Sequence, residues 1–575
     1  MHETIRDIIE ICYQRGIENF VICPGSRSAP LTLALARHPH LKTLVIGDER
    51  AAAFTALGMA LQSKKTVGLV CTSGTAVLNF APAVAEAFFQ EIPLLILTAD
   101  RPNEWIAQQD GQTLYQNQVY GKNVKTSLEI PADFVHEDTV WFAQRVVNEA
   151  ITLTQTSPKA PVHINIPLRE PLYPKPDEKF VYNNNVKIIN TLASKPTLEK
   201  TAWDEVFEIW EDADKCLIVA GQQDFDGSLA KNLQKIQEEW EIPVIGDIIS
   251  NLHHLPEIIK HQDLLLMQTD ENLLQQLQPD LLITFGKSLI SKHLKTFLRK
   301  YKPRYHWHIQ PAGVPADTFQ TLTHHIPMNP TDFFESLFAD LDFIRYQSGD
   351  DSEGNPAYFS LWQQEQLKVK KKFVQTIGSQ PFGEFAAVQM VLEKLPENSL
   401  LHLANSMAVR YANFISLECT AENGVTEVFA NRGTSGIDGC TSTAVGAARM
   451  TKKLVTLITG DMAFFYDRNA LWQPQLPDNL RIIILNNHGG GIFRIIDAGN
   501  QPEIDDFFET QNPLTAENTA RDFGLEYQSV TNAEELNQAL ETLFEPSEKP
   551  KILEIETDSK TNTAIYKAIK TAMNP

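Results

Sequence analysis

The feature that most constrains the fold of this chain is the alternation of short β-rich runs with amphipathic helical stretches, which occurs in three successive segments. The runs of the first segment are 20–23, 43–46, 66–71 and 94–98. Those of the second are 216–219, 243–245, 281–285 and 305–309. Those of the third are 400–403, 426–429, 454–458, 481–485 and 551–556. Because strands that alternate with helices pair in parallel and carry helices on both faces, the sequence predicts an α/β protein of three tandem, doubly wound parallel-sheet domains.

The chain of 575 residues is too long for one hydrophobic core, and two polar stretches divide it. Residues 171–196 are rich in proline and asparagine, which is typical of a linker, and residues 347–356 form a second polar break. We therefore expect three domains, at residues 1–180, 198–346 and 357–575.

The net charge of −22 at pH 7 and the isoelectric point near 5.2 exclude some classes of partner. Because a protein this acidic repels polyanions, we expect no nucleic acid partner. An anionic substrate must therefore meet a local basic pocket. The cysteines are scattered without metal-type spacing, which predicts reduced thiols. The first residues are charged where a signal peptide would be apolar. No later stretch stays apolar over the length that is needed to span a membrane. We expect a cytoplasmic protein.

Residues 460–491 carry the pattern that says most about chemistry. Asp461 stands at the end of one predicted strand, and Asn487 follows the next strand, just ahead of three glycines. Their side-chain oxygens would meet at neighbouring strand ends, and Mg²⁺ prefers such ligands. The glycines, and the helix expected after Phe465, favour the close approach of a phosphate group. The pattern predicts a site for Mg²⁺ and a diphosphate; the alternative is an ordinary strand, turn and helix with an aspartate cap.

A diphosphate that belongs to thiamine diphosphate would require two further side chains. One is a carboxylate that hydrogen-bonds the pyrimidine ring and helps the cofactor's amino group take the thiazolium proton. Glu49 is the candidate, since it stands at the first turn of a small-residue helix, and the alternative is an exposed capping glutamate paired with Arg50. The other is a bulky aliphatic group that bends the cofactor. Ile437, between glycines, is that candidate, with simple core packing as the alternative.

Several short motifs occur in an order that is found in one family. They are 23–31 (CPGSRSAPL), 48–50 (DER) with 56–58 (ALG), 71–76 (CTSGTA), 98–102 (TADRP), 405–406 (NS) with Arg410, 431–433 (NRG), 435–439 (SGIDG) and the pattern within 460–487. In these motifs the chain resembles the 2-succinyl-5-enolpyruvyl-6-hydroxy-3-cyclohexene-1-carboxylate synthases of menaquinone and phylloquinone biosynthesis, which are thiamine diphosphate enzymes. The resemblance covers both outer domains well and the middle domain thinly.

The resemblance implies a pyrimidine-binding N-terminal domain, a central domain and a C-terminal domain that binds the diphosphate. It also implies that active sites lie between two subunits, so we expect a homodimer or a homotetramer. The implied reaction decarboxylates 2-oxoglutarate and adds the resulting succinyl carbanion to the ring double bond of isochorismate. The products would be the succinyl-cyclohexene adduct and CO₂, which makes the protein a transferase.

The same resemblance implies that Asp461, Asn487 and the carbonyl group of Gly489 hold Mg²⁺, with Mn²⁺ as an alternative ion. Glu49 would activate the cofactor and Ile437 would shape it. The other residues expected to contact thiamine diphosphate are Ser73, Gly74, Ser406, Gly460, Met462 and Ala463. Met462 stands where many such enzymes have glycine, and its contact with phosphate through the backbone tolerates a side chain that points away.

Both substrates are dicarboxylates, and guanidinium suits carboxylate because it donates two parallel hydrogen bonds. The residues that the resemblance places against isochorismate are Arg27, Arg101, Ser26 and Gln112. Those that it places against the succinyl group are Arg410, Arg432 and Ser406. Glu49 and these four arginines form the expected catalytic set. The alternative is that each arginine makes a surface salt bridge.

Two further expectations concern the edges of the substrate site. Lys292 and His293 match a basic pair that reaches the isochorismate pocket, although the family often has arginine at the second position and histidine titrates near neutrality. Phe493 and Ile496 would form an apolar wall over the ring of isochorismate, and the alternative is a buried helix face.

Two other functions compete with this interpretation. Another thiamine diphosphate-dependent 2-oxo acid decarboxylase or carboligase would share Glu49, Asp461 and Asn487 but would not need Arg27 and Arg101. A catalytically silent scaffold of stacked α/β domains would have no use for a carboxylate in one domain and a metal clamp in another.

Overall fold

The structure is a computed structural model that describes residues 3–175, 178–192, 194–348, 355–418, 424–496, 499 and 501–574. It contains three sheets, and all of their strand pairs are parallel. The predicted α/β architecture with three sheets in tandem is therefore confirmed. Within the described residues, each helix is either too short or too polar to cross a membrane.

The first sheet has six strands in the order β2-β1-β3-β4-β6-β5. Its strands are β1 (Asn19–Ile22), β2 (Lys42–Val45), β3 (Val67–Cys71), β4 (Leu94–Asp100), β5 (Ser127–Glu129) and β6 (Val162–Pro167). Its helices are α1 (Glu3–Gln14), α2 (Ala29–Ala36), α3 (Glu49–Ser63), α4 (Thr75–Asn79), α5 (Ala81–Gln90) and α6 (Glu137–Gln155). The alanine-rich helix α3 begins where the Asp48 side chain accepts a hydrogen bond from the Ala51 amide at 3.0 Å, which is a standard N-cap.

The second sheet has five strands in the order β11-β10-β9-β7-β8. Its strands are β7 (Cys216–Ala220), β8 (Val244–Gly246), β9 (Leu281–Phe285), β10 (Tyr305–Ile309) and β11 (His324–Ile326). Its helices are α7 (Lys200–Asp212), α8 (Gly227–Glu239), α9 (Gln262–Leu265), α10 (Glu271–Gln276), α11 (Lys292–Lys300) and α12 (Pro330–Ser348).

The third sheet has six strands in the order β13-β12-β14-β15-β17-β16. Its strands are β12 (Leu400–Leu403), β13 (Glu427–Ala430), β14 (Val455–Gly460), β15 (Leu480–Asn486), β16 (Glu526–Val530) and β17 (Lys551–Glu556). Its helices are α13 (Pro356–Gly378), α14 (Glu384–Lys394), α15 (Met407–Ile415), α16 (Cys440–Ala448), α17 (Asp461–Tyr466), α18 (Ile492–Ile495), α19 (Glu517–Phe523), α20 (Ala533–Leu543) and α21 (Ser559–Met573).

Every predicted strand is present, but the sequence did not predict β5, β6, β11 and β16. Strand β6 is fully buried yet carries His163 and Asn165, whose side chains are satisfied by Thr98 at 2.7 and 3.0 Å. Polar residues in a buried run break the apolar signal by which central strands are found. The other three strands lie at sheet edges and are either three residues long or largely exposed.

The first and third domains meet along a seam between α3 and α16. A Cβ atom on Gly58 would lie 2.0 Å from the Thr443 carbonyl oxygen, and one on Gly446 would lie 2.1 Å from the Thr55 carbonyl oxygen. Both glycines are required because the two helix backbones are in contact. The seam fixes the N-terminal domain against the loop that precedes α16, which carries several predicted site residues.

Candidate active site

A cavity of about 370 Å³ opens at the carboxyl edge of the third sheet. Open α/β sheets bind ligands at this edge. The predicted site residues that line the cavity are Ser406, Arg410, Arg432, Ile437, Gly460, Asp461, Met462, Ala463, Asn487, Gly489, Phe493 and Ile496. The structure therefore brings together the residues predicted for the metal, the diphosphate and the succinyl group.

Asp461 and Asn487 follow the adjacent strands β14 and β15, which pair through Gly460 and Leu485. One carboxylate oxygen of Asp461 (Oδ2) and the amide oxygen of Asn487 (Oδ1) are buried, and neither has a hydrogen-bond partner among the described residues. Burial raises the pKa of Asp461 to about 7. Buried polar atoms are nearly always satisfied, so two oxygens without partners in one cavity are candidate ligands for a cation.

The turn after β15 places a backbone carbonyl beside these oxygens. His488 has φ of +60°, and its amide donates to the Asn486 side chain at 3.0 Å. A Cβ atom on Gly489 would lie 2.8 Å from the Glu509 carbonyl oxygen, so only glycine fits there. The Gly489 carbonyl accepts one hydrogen bond, from the Gly491 amide at 3.0 Å, and a carbonyl oxygen has two lone pairs.

The described part of the chain has no cluster of three or more His, Cys, Asp or Glu side chains that could hold a metal ion. The predicted site does not need one, because it uses one carboxylate, one amide and one carbonyl oxygen. Hard oxygens of this kind, one anionic and two neutral, suit Mg²⁺ when phosphate and water complete the coordination. The Met462 side chain beside this site accepts a weak hydrogen bond from Asn512 at its sulfur, at 3.5 Å.

Two guanidinium groups face the same cavity. Arg410 lies on α15 and donates to the Ser406 carbonyl oxygen, while Arg432 donates to the Asn405 side chain at 3.1 Å. Burial lowers the pKa of both arginines. The nearby charge of Arg410 lowers the pKa of Arg432 further. Neither forms an ion pair within the described ranges, although the charge of Asp263 acts on Arg410 and that of Asp247 on Arg432, and Arg432 Nε is buried without a partner there. The salt-bridge alternative is therefore wrong for this pair.

The loops that carry these groups are tied together by buried polar contacts. Asn405 donates to the carbonyl oxygens of Asn431 and Gly436, both at 2.6 Å. Ser406 has φ of +72° and Ser435 has φ of +62°, conformations that cost energy for residues other than glycine. Such strain persists only where the surrounding structure enforces it, and here it lies at the cavity wall.

Glu86 supports the Arg432 loop from the N-terminal domain, and sequence reasoning missed it. Its side chain is buried on α5 and accepts hydrogen bonds from the amides of Gly433 at 2.7 Å and Thr434 at 2.6 Å. The Thr434 hydroxyl and the Gln90 side chain also donate to it, each at 2.5 Å. A single acid in an apolar helix, as in residues 81–90 (APAVAEAFFQ), is the signal that could have found it.

Phe493 and Ile496 form part of the cavity wall around the short helix α18. No residue of α18 is buried, so the alternative of a buried helix face is wrong. The Phe493 ring lies 5.9 Å from that of Phe508, centroid to centroid, and Ile496 is 48% exposed. Ile437 is partly buried and contacts both the cavity and the hydrophobic core.

The N-terminal predicted residues form a second group, at the carboxyl ends of β3 and β4. Arg101 donates to the Ser73 hydroxyl at 2.9 Å, the Gln112 carbonyl at 3.0 Å and Asp110 at 2.5 Å. The Gly74 amide donates to the Gln116 side chain at 2.9 Å, and Gly74 has φ of +89°.

Arg27 lies in the same N-terminal group as Arg101, next to the exposed Ser26. It donates to the Leu168 carbonyl at 3.0 Å, and its guanidinium is 3.8 Å from Glu170. Burial and the nearby charge of Arg101 lower the pKa of Arg27. Both arginines of this group thus have a carboxylate partner, as the salt-bridge alternative predicts, although neither is fully exposed.

Glu49 is the first residue of α3 and belongs to the N-terminal group. Its carboxylate accepts one long hydrogen bond, from the Asn79 side chain at 3.5 Å. The capping residue is Asp48, and Arg50 donates to the Tyr466 carbonyl at 2.7 Å. The alternative in which Glu49 caps the helix and pairs with Arg50 is therefore wrong.

Within the described residues, the lining of the cavity does not include the N-terminal group. The described residues that line the cavity lie between Glu384 and Thr510, so Glu49, Arg27 and Arg101 are not among them. Lys292 is exposed at the start of α11 and does not line the cavity either. His293 contacts Asp263 at 3.0 Å, and Asp263 in turn is 3.3 Å from the Asn413 amide on α15.

Comparison with known proteins adds family matches over most of the chain. Three family models match in tandem: a thiamine pyrophosphate enzyme N-terminal binding domain over residues 3–120, a middle domain over 182–403, and a C-terminal binding domain over 417–555. A protein of Cytophaga hutchinsonii is 44% identical over 99% of this chain and 98% of its own length. A protein of Flavobacterium johnsoniae is 41% identical over 98% and 97%. Both are named 2-succinyl-5-enolpyruvyl-6-hydroxy-3-cyclohexene-1-carboxylate synthase.

Proposed function

The chain belongs to the family of 2-succinyl-5-enolpyruvyl-6-hydroxy-3-cyclohexene-1-carboxylate synthases, and from that premise we propose how its residues share the work of the reaction. The protein is a thiamine diphosphate-dependent transferase of menaquinone biosynthesis. It decarboxylates 2-oxoglutarate and transfers the succinyl unit to isochorismate, releasing CO₂. The proposals below concern the metal, the individual residues and the assembly.

We assign the metal to the orphaned oxygens of the C-terminal cavity. Asp461, Asn487 and the Gly489 carbonyl would hold Mg²⁺, or Mn²⁺ in its place, and the ion would bind the cofactor diphosphate. Gly460, Met462 and Ala463 would contact the diphosphate at the start of α17. When bound, thiamine diphosphate supplies the nucleophilic carbon and accepts the electrons left by CO₂.

The two arginine pairs would divide the substrates between them. Arg410 and Arg432, with Ser406, would bind the carboxylate of the succinyl unit, because both are buried at the cavity and neither forms an ion pair in the described structure. Arg27 and Arg101, with Ser26 and Gln112, would bind isochorismate. Ser73 and Gly74 would contact the cofactor beside Glu49, whose carboxylate would hydrogen-bond the pyrimidine ring. Phe493 and Ile496 would exclude water from the reacting carbon.

A complete site would require two chains. The cavity contains the metal and succinyl groups, whereas Glu49 and the isochorismate group lie elsewhere on the same chain. We propose that the N-terminal group of one subunit faces the cavity of another, so that a homodimer is the smallest active unit and a homotetramer would contain two such pairs. Large exposed apolar side chains beside the N-terminal group, such as Leu78 and Trp472, support this arrangement.

We also propose a cytoplasmic location. The described cysteines Cys12, Cys23, Cys71, Cys216 and Cys440 are unpaired, which suits a reducing compartment.

The observation that carries the residue assignments is that one cavity contains two buried oxygens without hydrogen-bond partners and two guanidinium groups without ion-pair partners in the described structure. The reaction itself is tested by a mass-resolved product assay. The assay uses purified protein, thiamine diphosphate, Mg²⁺ and 2-oxoglutarate, and it is run with and without isochorismate. We expect a succinyl adduct and CO₂ that both depend on isochorismate. Succinic semialdehyde in equal yield with and without isochorismate would instead indicate a simple decarboxylase.

The assembly is tested by mixing two inactive variants. Glu49→Gln disables one group and Asp461→Ala disables the other, and each variant alone should be inactive. Mixed subunits of a shared-site dimer would contain one site with both wild-type groups, so activity should return to about a quarter to a half of the wild-type level after exchange. Activity that stays absent in a confirmed heterodimer would contradict the shared site.

A further inference from the structure

Glu384 lies in the cavity beside the proposed metal ligands, outside every sequence motif that carries the family resemblance. It is the first residue of α14, is 1% exposed and lines the cavity with Asp461 and Asn487. A buried acid is expensive unless several donors satisfy it, so its place next to the metal site requires a reason.

The Glu384 carboxylate is held from several sides. It accepts hydrogen bonds from the Asn487 side-chain nitrogen (Nδ2) at 2.6 Å and from the Thr557 hydroxyl at 3.4 Å, and the Tyr411 hydroxyl also bonds to it. Its backbone amide donates to the Asn562 side chain on α21 at 2.9 Å. The start of α14 is thereby fixed against the last helix.

The glycine before Glu384 completes this fixation. A Cβ atom on Gly383 would lie 2.6 Å from the Ile565 side chain and 2.8 Å from Asn562 Oδ1. Only glycine lets α14 begin so close to α21, and this close approach brings the Glu384 side chain under Asn487.

The contact decides which way the Asn487 amide faces. The oxygen and nitrogen of an amide have nearly the same shape, so only hydrogen bonding selects between the two orientations. With an acceptor at Glu384, the amide nitrogen turns toward α14 and the amide oxygen turns away from it. That oxygen is the one that is buried without a partner in the described structure.

We propose that Glu384 is a positioning residue that holds Asn487 with its oxygen toward the metal, an inference that rests on the metal site of the proposed function. Without an acceptor at Glu384, the Asn487 amide is free to rotate and to present its nitrogen to the cation. The partly positive amide group NH₂ and the cation repel each other, so the metal would bind less tightly. Groups that orient metal ligands typically change metal affinity by about 10–100-fold when they are removed.

The chain offers a matched control one residue earlier. Asn486 donates from its side chain to Glu554 at 2.8 Å, and Glu554 also accepts from the Tyr527 hydroxyl at 2.6 Å. Glu554 is 0% exposed and does not line the cavity. The Glu554 pair therefore has the same chemistry and burial as the Glu384 pair but does not contact the proposed metal ligands.

Mn²⁺ binding measures the effect without turnover. Apoenzyme with saturating thiamine diphosphate is titrated with Mn²⁺, and the free ion is read by electron paramagnetic resonance for wild type, Glu384→Leu, Glu384→Gln and Glu554→Leu. We expect Glu384→Leu to weaken Mn²⁺ binding about 10–100-fold. Glu384→Gln, which keeps an acceptor for Asn487, should stay within about threefold, and Glu554→Leu within about twofold, even where it lowers the melting temperature.

Each outcome is decisive. A wild-type protein that binds thiamine diphosphate but no Mn²⁺ would refute the proposed metal site itself. Wild-type affinity in a folded Glu384→Leu, or an equal loss in Glu554→Leu, would overturn the positioning role alone. If Glu384→Leu does not fold, Glu384→Gln still tests the proposal, since a tenfold loss there would mean that charge rather than hydrogen-bond acceptance matters and would overturn it.

Discussion

Glu86 provides the strongest test of how the N-terminal domain supports the substrate site of the C-terminal domain. The glutamate is 1% exposed and accepts four hydrogen bonds, two of them from the backbone amides that follow Arg432. Truncation to alanine leaves these amides buried without an acceptor. Because Gly433 lies so close to α5 that a Cβ atom there would be 2.7 Å from the Glu86 carbonyl oxygen, little room remains for water to replace the carboxylate.

The size of the effect follows from the two amides. A buried donor without a partner costs about 1–3 kcal/mol, so the anchored loop loses about 2–6 kcal/mol. At about 1.4 kcal/mol per tenfold change, the anchored state becomes roughly 30-fold to 10⁴-fold less favoured. We expect the lower end of this range, because the amides regain hydrogen bonds to water when the loop opens.

The assay is steady-state kinetics of Glu86→Ala with each substrate varied in turn. We expect kcat/KM for 2-oxoglutarate to fall by about 30-fold or more, since Arg432 is no longer held in place. The KM for isochorismate should stay within about threefold, because Arg27 and Arg101 do not contact this loop. For Glu86→Gln, kcat/KM for 2-oxoglutarate should lie between the values of wild type and Glu86→Ala, since the amide group of glutamine places a donor against a backbone donor.

A matched control separates positioning from stability. Glu10 is buried on α1, far from the cavity, and accepts hydrogen bonds from Gln14 at 2.8 Å and from His38 at 3.1 Å. Glu10→Ala should lower the free energy of unfolding without changing the use of 2-oxoglutarate. Equal kinetics in Glu86→Ala and Glu10→Ala, at matched fractions of folded protein, would refute the anchoring of the Arg432 loop.

Three further predictions address single groups. Glu49→Gln should abolish turnover while thiamine diphosphate still binds, measured by calorimetry, because only proton handling is lost; normal turnover would remove Glu49 from the mechanism. Arg432→Ala should lower kcat/KM for 2-oxoglutarate by about 30-fold to 10³-fold, the loss expected for a buried charge pair, and unchanged kinetics would make the arginine structural. Burial raises the pKa of Asp467 to about 7, whereas an unfolded aspartate titrates near 4. The folded state therefore binds the proton more tightly, and this contribution to stability is present below about pH 4 and lost as the pH rises through 7. The melting temperature of wild type should fall more steeply from pH 5 to pH 8 than that of Asp467→Asn, and parallel curves would contradict the shift.

The fold and half of the site could be predicted because their signals are local. A strand that ends at Gly460, just ahead of Asp461, followed by one that ends just ahead of Asn487, specifies both the parallel pairing and the position of two candidate ligands. Glu86 and Glu384 could not be found in this way. Each is a buried acidic residue on a helix, and its partners lie 347 and 103 residues away in the chain. A buried charge is satisfied by the tertiary structure, so a short pattern such as that around Glu86 can mark the acid but cannot identify its partners.

The division into two groups was also beyond local patterns, and it explains a difference between the two arginine pairs. Arg27 and Arg101 have carboxylate partners at 3.8 and 2.5 Å, so a substrate carboxylate that binds there replaces a protein carboxylate. Arg410 and Arg432 have no such partner in the described structure, and their charges are already desolvated in the free protein. In a protein of net charge −22, which repels anions at long range, two buried cations without an ion-pair partner would give the cavity its proposed preference for a carboxylate. On the proposed assignment, the specificity of the succinyl pocket would reside in two arginines without ion-pair partners, and that of the N-terminal group in an exchange of carboxylate partners.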